Sequence, residues 1–168
     1  MTNTLRPLII SLVVLIAITT IFIRLPLPGR GYFNFGDIAV IFSGLICATY
    51  KPKTSWIHPI LIAGTGSAIA DIVGGFAIFA PITFIAKGCE AFFAFKSLSE
   101  IKTTEYAMLV LSALSMVGVY FIGEWGMPSM GLQQAIPELI PNIIQVIGGI
   151  IGGKITFNIY KKLILSDN

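Results

Sequence analysis

The sequence predicts an all-α membrane protein, a bundle of six transmembrane helices with both termini in the cytoplasm. Three observations carry that reading. First, 55% of the 168 residues are hydrophobic and only 11% are charged, with a mean hydropathy of +0.89. Soluble domains carry about 25% charged residues, so this balance selects the membrane class. Second, six apolar stretches alternate with short segments rich in Pro, Gly and charge, giving one integral membrane domain over residues 1–168. Third, Arg6, Lys51, Lys53, Lys96, Lys102, Lys161 and Lys162 fall at the termini and even-numbered turns, whereas Arg24 and Arg30 fall on the other side. Basic residues collect on the cytoplasmic face, which fixes the orientation.

Helix one is predicted over 5–23, about the 20 residues that cross a hydrocarbon core. It is too long for the apolar part of a signal peptide and lacks a small-residue cleavage site, so it stays in the mature chain. Pro26 and Pro28 end it, because proline lacks the N–H a helix interior needs. Helix two, over 37–50, is short for a span and requires tilt, a shielding neighbour, or length borrowed from 33–36. Asn34-Phe-Gly-Asp37 in front of it reads as a capping box, with Asp37 as a capping side chain. Helix three covers 57–73 and places Gly64, Ser67, Ala68 and Asp71 on one face, where small residues admit another helix closely.

Helix four covers 81–98, with Pro81 suited to the first turn. Helix five covers 106–122, and a long outer loop follows to Pro137. Helix six covers 138–163 and carries Gly148, Gly149, Gly152 and Gly153, two overlapping GxxxG patterns that mark tight packing.

The stretch DIVGGFAIFAPITFIAKGCE at 71–90 is the centre of this organisation. It is apolar enough for lipid yet carries Asp71, Lys87 and Glu90. A charge inside a membrane costs several kcal/mol, so its presence marks a functional site by default. Lys87 and Glu90 lie one turn apart. They make either an ion pair that fastens helices or a contact to a ligand, and both readings stand. Tyr120 and Glu124 share a face at the outer end of helix five, and Asn142 and Gln145 share one on helix six. Three helices thus aim polar groups at one outer cavity. Asp71 sits at a helix C-terminus, where the dipole disfavours an anion, so it calls for a clamp to Arg24, Arg30 or Lys87.

Other chemistries find no support. His58 is the only histidine and has no nucleophile to serve, and Cys47 and Cys89 lie in apolar runs without metal-ligand spacing. Gly148 to Lys154 matches a phosphate loop except that Ile155 stands where Ser or Thr is needed, and no strand precedes it. The sequence therefore predicts no enzyme, metal, cofactor or nucleic-acid partner. An ion-coupled carrier acting alone, with Lys87 and Glu90 relaying protons, is the alternative transport reading.

Four segments, GYFNFGD at 31–37, ADIVGGF at 70–76, APITFIAKGCE at 80–90 and PNIIQVIGG at 141–149, resemble the substrate-binding S components of energy-coupling factor (ECF) vitamin transporters. The likeness covers most of the chain in order, and within the group it is most similar to the hydroxymethylpyrimidine or pyridoxine branch. The resemblance implies a six-helix binding subunit that takes a vitamin from outside, docks on a transmembrane T component with two cytoplasmic ATPases, and topples to release it. It further implies a lid at Tyr32, Phe33 and Asn34 over a pocket of Lys87, Glu90, Tyr120, Glu124, Asn142 and Gln145. One departure concerns helix one, where S components carry an A-x-x-x-A face for the T component. Here Ser11 and Ala17 are offered, with Val13 and Ile21 flanking Ala17, and Ala17 is the expected docking residue.

Overall fold

The structure, a computed structural model, describes residues 5–26, 32–50, 53–98 and 101–165. Six helices dominate it: α1 (Leu5–Phe22), α2 (Gly36–Thr49), α3 (Ile57–Val73), α4 (Ala80–Ser97), α5 (Lys102–Gly126) and α6 (Gly131–Tyr160). The helical bundle expected from composition is the observed fold. Two three-residue strands, β1 (Arg24–Pro26) and β2 (Tyr32–Asn34), form an antiparallel ribbon between α1 and α2, pairing Leu25 with Phe33. The sequence predicts only a proline-ended helix one and a helix two that borrows length from 33–36, not a strand pair. The Phe35 N–H bonds the Ile23 carbonyl, and bonded pairs alternate along an antiparallel ladder. Pro26 is tolerated because it faces Tyr32 in a non-hydrogen-bonded pair, where no N–H is needed.

The short helix α2 is the middle of the bundle. Eleven of its 14 residues are buried, and it packs against α1, α3, α4 and α6. At 1.5 Å per residue it runs about 21 Å, less than the roughly 30 Å of a hydrocarbon core. Its neighbours shield its ends. The core centres on α2, with Val40, Ile41, Leu45 and Ile46 against Leu12, Ile16, Ile62, Ala91 and Phe157.

Close approach is bought at glycines. A Cβ at position 149 would lie 2.6 Å from the Asp37 Cβ, and one at 153 would lie 2.6 Å from Ile41 Cγ2. The glycine pattern on α6 is therefore the seat of α2. The small face of α3 works the same way, since a Cβ at Gly64 would meet Phe84 of α4 at 2.8 Å.

The outside is apolar, as lipid requires. Ile10, Val14 and Ile18 on α1, Val110 and Leu114 on α5, and Ile147, Ile151 and Ile155 on α6 are all exposed. Three helices, α1, α5 and α6 with its extension to Ile164, are long and apolar enough to cross a membrane. The helices α2 and α3 are apolar but shorter, and α4 carries Lys87, Glu90 and Lys96 within its 18 residues.

Two helices depart clearly from their expected bounds. Helix α5 extends four residues beyond the predicted 106–122 at each end. Helix α6 begins at Gly131, seven residues early, and includes Pro137 and Pro141. Proline weakens a helix interior but leaves side chains on helical spacing, so Gln134 and Glu138 are carried on the same rod as Asn142 and Gln145. Gly131 supplies the entry turn, with φ +64°. A π-helical turn, Lys161–Leu165, ends the chain's described part.

Candidate functional site

The ends of α1, α3, α4, α5 and α6 away from the lysine-rich turns, with the strand β2, surround a cavity of about 340 Å³. Its location follows from the elements that reach it. Thr20 comes from the end of α1, Asn34 from β2, Ser67 and Asp71 from the end of α3, and Phe76 and Phe79 from the turn beyond. Thr83 and Lys87 come from the start of α4, Tyr120 and Glu124 from the end of α5. The start of α6 supplies Gln134, Glu138, Pro141, Asn142 and Gln145.

The inner end is a buried ionic network in which Glu90 Oε1 alone is sealed from solvent without a hydrogen-bond partner among the described residues. Lys87 Nζ lies 2.5 Å from Asp37 Oδ1 and 3.1 Å from Glu90 Oε2, with all three side chains at least 96% buried. Gln145 Nε2 donates to the other Asp37 oxygen at 3.0 Å. The ammonium also sits 5.6 Å from the centroid of the Tyr120 ring, and Tyr120 Oη donates to Thr83 Oγ1 at 3.1 Å. Buried charges persist only when paired and hydrogen-bonded, and this network ties α2, α4 and α6 together by that rule. One ammonium serves two carboxylates, so the network carries a formal excess of one negative charge.

This arrangement corrects the reading of Asp37 as a cap. Helix α2 has no side-chain cap bond at its N-cap Phe35. Asn34 Oδ1 instead accepts from the Gly36 N–H at 2.7 Å, leaving Asp37 to face inward one residue later. It also redirects Lys87. Its ion pairs are to Asp37 and Glu90 rather than to Asp71, and Asp71 lines the cavity. The side chains of Arg24 and Arg30 lie outside the described residues.

Of the nine expected site residues, Asn34, Lys87, Tyr120, Glu124, Asn142 and Gln145 line the cavity together. Glu90 does not. It is fully buried behind Lys87, and its backbone carbonyl accepts from Ser112 Oγ at 2.8 Å. The strand β2 brings the Tyr32 and Phe33 backbones to the same end of the bundle, but their side chains lie outside the described residues. Asp37, Thr83, Phe76, Phe79, Gln134 and Glu138 were missed. Asp37 was masked by its position at a helix start. Gln134 fell in the segment up to Pro137 that reads as a loop, and Glu138 stood as the first residue of the predicted helix six, with nothing to show which way it faced. Thr83, with Thr20 and Ser67, was legible only as a small polar residue within an apolar run.

At the outer end, Glu124 is 4% exposed and its Oε2 is sealed from solvent without a hydrogen-bond partner. Among the described residues no group of three or more His, Cys, Asp or Glu is placed to hold a metal ion. The expected docking residue on α1 is also placed: Ala17 is buried against the bundle, while Ser11, Val14 and Ile18 face outward.

Fold and cavity define a helical membrane protein with a polar, aromatic-walled chamber at one end. A family described as "ECF-type riboflavin transporter, S component" matches residues 8–162, and the chain belongs to that family. It is accordingly a substrate-binding subunit of an energy-coupling factor transporter, a transport subunit rather than a catalyst. No curated protein matches the chain.

Proposed function

We propose that the chain is the high-affinity binding subunit for uptake of a small water-soluble vitamin or precursor with one flat polar ring, of the hydroxymethylpyrimidine or pyridoxine kind. The observation that carries this reading is the cavity itself. Ligand pockets run from about 300 to 1,000 Å³, and a chamber of about 340 Å³ stands at the small end, suited to a single ring with short substituents. Phe76, Phe79 and Tyr120 offer apolar faces to such a ring, while Asn142, Gln145 and Asn34 offer donors and acceptors to its edge. The matched family's description names riboflavin, a three-ring solute with a long polar tail. Riboflavin therefore belongs in any binding panel, and the chamber's size favours the smaller ring.

In this reading the whole chain is one integral domain that crosses the cell membrane six times. The lysine-rich end faces the cytoplasm by the positive-inside rule, so the cavity opens outward. Its partners are a transmembrane T component and two ATPases that drive release inward. The rival, a stand-alone ion-coupled carrier, needs polar groups continuing toward the cytoplasmic end. Below the Lys87 network lie the apolar Ile41, Leu45, Ala91, Ala94 and Phe95, and the buried hydroxyls there, Ser43, Ser97 and Ser112, each donate to a backbone carbonyl. Reconstitution of the purified chain alone into liposomes tests this. Stoichiometric vitamin binding without uptake is expected, and robust gradient-driven uptake by the isolated chain would overturn it.

A further inference from the structure

We propose that Glu124 binds a positively charged or N–H-rich nitrogen of the ligand, so that an amine on the ring decides selectivity. The inference rests on the reading that this cavity holds the vitamin, and it names the chemistry that the outer half of the cavity selects.

The argument starts from charge. The only cation among the described lining residues, Lys87, is already bonded to Asp37 and Glu90. It has no uncompensated charge for an anionic ligand. The remaining ionisable lining groups include the carboxylates of Asp71, Glu124 and Glu138, each on a different helix. Glu124 makes no ion pair among the described residues, although it is 4% exposed, and its Oε2 has no hydrogen-bond partner. A buried carboxylate in that condition is unfavourable unless a donor reaches it, and the space it faces is the ligand chamber.

Position follows from helical rise. Glu124 lies one turn, about 6 Å, beyond Tyr120, whose ring stands beside Lys87. Glu138 lies about 10 Å beyond Gln145 along α6. Glu124 and Glu138 therefore stand in the half of the cavity away from the buried ionic network. A flat ring seated against Tyr120 and Phe79 would point one edge at Gln145 and Asn142 and the opposite edge at Glu124. An amino or ammonium substituent on that edge meets the carboxylate in a charge-assisted hydrogen bond. A carboxylate there would face like charge.

The test uses two matched pairs titrated by calorimetry into the purified subunit: pyridoxamine against pyridoxine, and 4-amino-5-hydroxymethyl-2-methylpyrimidine against its 4-hydroxy counterpart. Riboflavin and pantothenate complete the panel. Wild type should prefer the amine of a bound pair by roughly 10- to 150-fold, the range for a hydrogen bond to a charged group. Glu124→Gln should abolish the preference while still binding the ring, and Glu124→Asp should retain part of it. Ring binding without amine preference, or a preference that survives in Glu124→Gln, overturns the inference and leaves the vitamin reading standing. Should Glu124→Gln not fold, the wild-type preference decides alone. Binding of pantothenate or riboflavin with none of the four rings, or of nothing in the panel, overturns both.

Discussion

Gly149 of α6 and Asp37 of α2 are fitted to one another: a Cβ at 149 would stand 2.6 Å from the Asp37 Cβ and 3.2 Å from its carbonyl carbon. The absent side chain lets α2 press its first turn onto α6. That approach is what brings the Asp37 carboxylate within reach of both Gln145 and Lys87. A packing motif and an ionic network are thus one device.

Gly149→Ala should therefore act on both. Backbone atoms of Asp37 must move, and overpacking of this kind costs about 1–3 kcal/mol. Thermal unfolding in detergent should show a lowered midpoint, with ligand affinity falling alongside it. Gly118, beside which a Cβ would meet nothing within 4 Å, supplies the control, and Gly118→Ala should leave both unchanged.

The buried network predicts an order of severity. Lys87→Met leaves two carboxylates facing each other without a counter-ion, and breaking a buried pair in this manner costs about 3–5 kcal/mol. Asp37→Asn leaves a one-to-one pair of Lys87 with Glu90 and should cost less, about 1–3 kcal/mol. Unfolding midpoints of the two variants read the order directly. The reverse order would mean that Lys87 is not the hub.

Asn142 and Glu90 should separate binding from stability. Asn142 lines the cavity and is half-buried. Losing a neutral hydrogen bond there costs about 0.5–1.5 kcal/mol, so Asn142→Ala should weaken ligand binding roughly 2- to 13-fold with little change in melting. Glu90 is sealed behind Lys87, and Glu90→Gln should shift melting more than affinity. A large affinity loss in Glu90→Gln with unchanged stability would put that side chain in the cavity.

Much of this was readable beforehand. The apolar runs gave six helices because lipid allows few other backbone solutions, and the charged residues on α4 pointed to the cavity because membranes tolerate charge only where something answers it. The pairing of Lys87 with Asp37, 50 residues apart, was not readable, since it depends on how α2 seats on α6. Nor were Gln134 and Glu138. Pro137 reads locally as the end of a loop, whereas the helix runs through it from Gly131, and a helix start at Glu138 does not tell which way that side chain faces. The burial of Ala17 escaped for a related reason: α1 is apolar all round, and periodicity cannot choose its inner face.

The outward face of α1 makes a prediction about assembly. Ser11, Val14 and Ile18 are exposed, and a T component packing there would meet them rather than Ala17. Val14→Trp should reduce co-purification with co-expressed T component and ATPases while leaving the isolated subunit's stability intact. Ala17→Leu should do the opposite, lowering stability by about 1–3 kcal/mol through overpacking inside the bundle. Assembly untouched by Val14→Trp would move the contact to another helix.

Calorimetry of the purified subunit against B vitamins and their precursors tests the central claim most directly. The account predicts one-to-one, high-affinity binding of a single-ring vitamer such as hydroxymethylpyrimidine or a B6 form. Tight binding of only an acyclic acid such as pantothenate would contradict it.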